Sequence, residues 1–174
     1  MTYPRAFLPS QSGAAASEMA LVLPLLLAIM FGGFEAGHYF YTEHKIIKAV
    51  REGARYAGRL GFTGAGYSCQ TAGGPTTWTA AGNPSLSNTR AVTVYGSTDT
   101  SGNPRIANWA LTDVTVEYQC NSAFTGGIYS AQVSGGPVVR VTATASYPSL
   151  FNQLGFIDGS AKVNASAQAP VNGI

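Results

Sequence analysis

Glu18 is the single charge in the apolar run from Ala14 to Phe34, 21 residues of this 174-residue chain. Moving an ionised carboxylate toward hydrocarbon costs several kcal/mol unless it gains a partner, so an acid in this place is a candidate for pairing with a cation. Cys69 and Cys120 are the only two thiols. They form no C-x-x-C and have no metal-like spacing, which leaves a disulfide or two free, partly buried thiols. A bridge between them would close a long loop and contribute about 4 kcal/mol in the chain-entropy account.

Catalytic constellations are not found. His38 and His44 lie six positions apart, which does not place them on one helical face, and no histidine follows Leu60. There is no G-x-S-x-G and no phosphate-binding loop. Gly64-Ala65-Gly66, Gly73-Gly74 and Gly135-Gly136 read as turns, and Asn164-Ala165-Ser166 fits a glycosylation sequon. The formal charge is +2, yet beyond Leu60 Arg90, Arg105, Arg140 and Lys162 balance Asp99, Asp113, Glu117 and Asp158. A balanced domain gives no electrostatic footprint for nucleic acid. The expectation is therefore a protein without enzymatic activity, cofactor or metal.

The element that must position Glu18 is a helix. Twenty-one residues at about 1.5 Å each match a bilayer core. A removable secretory signal fits poorly, because the start is weakly basic (Arg5) and Gly32-Gly33-Phe34-Glu35-Ala36-Gly37 is no A-x-A site. Pro24 removes a backbone hydrogen bond mid-helix and is expected to loosen it. Gly33 and Gly37 form a G-x-x-x-G that lets another helix approach closely.

The stretch Ser12-Gly13-Ala14-Ala15-Ala16-Ser17-Glu18-Met19-Ala20-Leu21-Val22-Leu23-Pro24 resembles the TadE-like family of minor pseudopilins from tight-adherence (Flp-type) pilus systems. The likeness extends to Arg51-Glu52-Gly53-Ala54-Arg55-Tyr56-Ala57 and, more loosely, to the pattern from Val139 to Val171, but not to residues 61–108. It implies cleavage by a prepilin peptidase after Gly13, with Ala14 as the new N-terminus and Glu18 as the fifth residue. The family usually carries an aromatic next; this chain has Met19, which keeps bulk and apolarity. The cut would create an ammonium on Ala14 that Glu18 can neutralise within its own helix or across to a neighbouring subunit, fixing axial register. Without the cut, Glu18 would merely reach the headgroups from an intact anchor.

Four segments follow: a cytoplasmic leader (1–13), a membrane helix (14–34), an amphipathic stalk helix (35–59) and an extracytoplasmic β-rich domain (60–174). Tyr39, Phe40 and Tyr41 suit the outer interface. In the stalk His38, Tyr41, Lys45, Lys48, Glu52, Arg55 and Arg59 recur on one face, while Phe40, Ile47, Val50, Ala54 and Ala57 form an apolar stripe ending near Gly58 or Gly61. Counting Lys45, Lys48 and Arg51 alone would put this side in the cytoplasm. Export is preferred, since long C-terminal domains translocate regardless of charge and the implied cut requires Gly13 inside.

Alternating runs predict strands over 91–95, 111–118, 138–146 and 162–168, and Pro148 opens a short helix to Leu154. The fold expected is α+β, with an antiparallel sheet packed on the upper helix. The function implied is that of a minor pseudopilin held in a bacterial inner membrane, working with other pilins and pseudopilins, a prepilin peptidase and a membrane platform. The alternative is an uncleaved membrane-anchored module that binds a surface glycan or protein through Tyr67, Trp78 and Trp109.

Overall fold

The computed structural model describes residues 12–62, 64–67, 69–152 and 161–173. Most of the expected leader, and Gln153 and Leu154 of the expected helix after Pro148, lie outside the described residues; Leu150–Phe151 forms a turn.

Helix α1 runs unbroken from Ser12 to Gly58, through Pro24, for about 70 Å at helical rise. Its two halves live in different surroundings. From Gly13 to Met30 every residue is exposed, whereas from Thr42 onward one face is buried beneath the C-terminal domain. That domain contains strand β1 (Thr79–Ala80), helix α2 (Ser85–Tyr95) and strands β2 (Val114–Asn121), β3 (Gly136–Ser146) and β4 (Lys162–Pro170). The strands form one antiparallel sheet in the order β1-β2-β3-β4.

Alternation explains the core. Val114, Val116, Tyr118 and Cys120 of β2 pair across with Ala143, Val141, Val139 and Pro137 of β3, putting period-2 apolar residues on one face. Val139, Val141, Ala143 and Ala145 then meet Ala169, Ala167, Ala165 and Val163 of β4. The small side chains on β4 allow α1 to lie close. Ile46, Ala49, Val50, Ala54 and Ala57 complete this core from the helix side. A Cβ at Gly58 would stand 2.7 Å from the Pro170 carbonyl oxygen, so the helix ends where only glycine fits against β4.

Three expectations are corrected. Residues 91–95 are the last turns of α2, not a strand: Ser85, Thr89 and Thr93 are buried at helical spacing, and Gly96 ends the helix at φ 87° with its N–H on the Val92 carbonyl. The expected apolar stripe of α1 is also rotated, because Phe40 is exposed and Ile47 only half-buried, while Thr42, Ile46 and Ala49 face the sheet. The strand expected from Leu111 begins instead at Val114, after a 3-10 turn over Leu111–Asp113 in which Asp113 Oδ2 accepts the Ala110 N–H at 3.0 Å.

Candidate functional site

The bare half of α1 is the candidate site. Met19, Leu21, Leu25 and Ile29 are each exposed by 64, 79, 63 and 68%. An 18-residue window there has mean hydropathy 2.1 and no buried residue, making α1 a helix long and apolar enough to cross a membrane. Glu18 and Gly13 lie on this uncovered length, and the Ser17 hydroxyl donates to the Ala14 carbonyl at 2.8 Å. At Gly13, Gly33 and Gly37 an added Cβ would meet nothing. Among the described residues the G-x-x-x-G pair therefore packs against nothing, which leaves this face open to a close-approaching partner.

Above the apolar run the domain grips the helix. Glu35 is only 8% exposed and accepts the Leu150 N–H at 3.1 Å through Oε2; Oε1 is buried with no hydrogen-bond partner among the described residues. The Tyr147 hydroxyl donates to the Glu35 carbonyl at 3.1 Å and lies 3.2 Å from His38 Nδ1, which makes that nitrogen the donor of the second bond. Burial first, then the hydrogen bond and charge of Glu35, raise the Tyr147 phenol to about 12. Tyr39 adds an edge-on ring contact to Tyr147, and Phe151 packs edge-on against Phe31. Sequence reasoning passed over Glu35 as part of a failed cleavage site. Its position at the end of the apolar run was the available signal, but its partners lie more than a hundred residues away.

Farther up, α1 carries charge outward. Glu52 is hydrogen-bonded and ion-paired to Arg105, while Lys48, Arg51, Arg55 and Arg59 stay exposed and Lys45 lies over the Tyr41 ring at 5.1 Å. This is a solvated face over an intramolecular core. His38 does not belong to that row, since it turns toward Tyr147.

Cys69 and Cys120 are bonded, with Cα atoms 5.7 Å apart. The bridge ties the glycine-rich segment before β1 to the end of β2. Backbone bonds from Cys120 N–H to the Pro75 carbonyl at 2.7 Å and from Ser134 N–H to the Cys69 carbonyl at 3.0 Å hold the same corner.

Two of the three aromatics suggested for ligand binding are core residues. Trp109 is buried and its indole N–H donates to the Thr144 carbonyl at 3.0 Å; Tyr67 donates to the Ala57 carbonyl at 3.0 Å and lies 2.7 Å from the Ser85 hydroxyl. Trp78 is half-buried, with the Arg140 guanidinium 4.3 Å from its ring centre and Glu117 neutralising that arginine at 2.6 Å. No group of three His, Cys, Asp or Glu suited to a metal occurs among the described residues.

The match to a known family falls on this helix. Residues 13–55 match the family model described as TadE-like protein. The N-terminal helix is similar to the TadE-like family. The TadE-like segment starts at Gly13, takes in Glu18, the bare apolar run and Glu35, and stops three residues before α1 ends. The β domain lies outside the match. No curated protein and no solved structure matches the chain.

Proposed function

We propose that this protein is a minor pseudopilin of a tight-adherence pilus system, a structural and non-catalytic subunit. It is cut after Gly13, stored in the inner membrane by residues 14–34, and joined to other pilins and pseudopilins through that helix. The observation that carries the reading is the TadE-like match beginning at Gly13 on a helix that is long and apolar enough to cross a membrane and exposed from Gly13 to Met30.

The chemistry supports it. Cleavage would leave the Ala14 ammonium one turn from Glu18, and each charge offsets the desolvation of the other. Across two subunits the same pair would set the axial register of one helix on the next, while Gly33 and Gly37 admit a close backbone. The Cys69–Cys120 bridge favours the periplasm for the domain. Lys45, Lys48 and Arg51 belong to a stalk covered on one face by a folded domain, and segments of that size translocate regardless of charge.

N-terminal sequencing of the membrane-bound protein tests the cut. Ala14 as the first residue is expected; an intact Met1 contradicts the reading.

A further inference from the structure

The segment that follows β3, Tyr147–Phe151, reaches back down the helix into its apolar run. Phe151 meets Phe31 with ring centres 5.2 Å apart, and Phe31 lies three residues inside the run that ends at Phe34, about 4–5 Å along the axis. Leu150 beside it is 53% exposed, and Phe34, one turn above Phe31 on the helix, is 59% exposed. A soluble domain would not hold its apolar residues open around a helix that is itself bare. The attachment is built: Glu35 Oε2 takes the Leu150 N–H, the Phe151 N–H donates to the Ser149 hydroxyl at 3.3 Å, and Tyr147 is locked to the Glu35 carbonyl.

We infer that Tyr147–Phe151 is a membrane seat, a short apolar hook that enters the outer lipid interface alongside α1 and fixes the domain at a set height above the bilayer. This rests on residues 14–34 spanning the membrane. Lipid is the occupant that the position selects, because the patch is continuous with the span. Phe and Leu enter the headgroup and acyl boundary readily, with Tyr147 and Tyr39 at its polar edge. Glu35 then acquires a role: its carboxylate satisfies a backbone donor that would otherwise go unpaired in a water-poor layer. At the other end of β3, roughly 30 Å away at strand rise, exposed Ile128 marks the part of the domain farthest from lipid.

The full chain reconstituted in phosphatidylcholine and phosphatidylglycerol vesicles tests the seat, with brominated acyl chains quenching introduced tryptophans. Leu150→Trp is compared with Leu26→Trp in the span, Ile128→Trp at the far end, and the parent chain for the background of Trp78 and Trp109. Leu26 and Ile128 are exposed, so these substitutions leave the core intact. Quenching of Leu150→Trp several-fold above Ile128→Trp, strongest for bromines near the headgroups, is the expected result. Leu150→Trp quenched no more than Ile128→Trp, while Leu26→Trp is quenched, overturns the seat alone. Loss of quenching at Leu26→Trp overturns the membrane span and the seat with it.

Discussion

At the residue scale the two acids of the lower helix ask for opposite experiments. Glu18 is exposed and makes no contact with the domain among the described residues, so Glu18→Ala is expected to leave insertion and domain folding unchanged while reducing pilus assembly severely; normal pili on cells carrying it would remove the register role. Glu35 works within the chain. Glu35→Ala removes the acceptor of the part-buried Leu150 N–H, a loss of about 1 kcal/mol, and should speed chymotryptic cleavage at Leu150 and Phe151; unchanged cleavage would contradict the clasp. Tyr147 adds a pH signature. Its phenol is raised from an ordinary value of 10.0 to about 12, so the fold favours the neutral form. The stabilisation is complete below the unfolded value and drains away as pH climbs from there through the folded one. Burial raises the Tyr67 phenol too, so spectrophotometric titration should show Tyr147 among the late-ionising phenols, and Tyr147→Phe should remove one phenol from that late component.

At the element scale, close packing outweighs helix propensity. Gly53 sits where α1 crosses α2, and a Cβ there would run into the Thr93 hydroxyl, which is buried and bonded to the Thr89 carbonyl at 2.7 Å. Alanine gains about 1 kcal/mol of propensity, but overpacking costs about 1–3 kcal/mol. Gly53→Ala is therefore expected to lower the domain's melting temperature, whereas the open Gly33→Ala should leave it unchanged. The helix over Ser12–Gly58 was legible because its apolar run and then its charge row hold one period for many turns. Strands β2, β3 and β4 were legible because one face is buried and the alternation is plain. Residues 91–95 misled because a five-residue run of Ala, Val, Thr, Val and Tyr satisfies either period; the decision came from Thr89 and Thr93 facing Gly53, a contact between elements that local sequence does not contain. The Phe40 stripe failed for a related reason: Phe40 lies on the face turned away from the domain, while Glu35, Tyr39 and Thr42 on either side of it along the helix lie on the covered face.

At the scale of the whole molecule, α1 serves two environments, and the division between them predicts which pieces can fold. Below Phe31 the helix contributes nothing to the domain core, while Ile46, Ala49, Val50, Ala54 and Ala57 are buried to 2% exposure or less and cover the inner face of β3 and β4. Removing residues 1–34 should therefore leave a soluble, cooperatively melting fragment that retains the Cys69–Cys120 bridge. Removing residues 1–59 strips the lid from the sheet, exposing Val139, Val141 and Val163 together and leaving Tyr67 without the Ala57 carbonyl. A one-layer sheet with an apolar face cannot offset its chain entropy, and the disulfide's contribution of about 4 kcal/mol does not replace a helix layer. Near-ultraviolet circular dichroism and amide exchange should report a native-like fragment in the first case and rapid exchange across β3 in the second. A protected sheet in the shorter fragment would show that the stalk only carries the domain, and that the family-matched helix and the unmatched sheet are separate folding units.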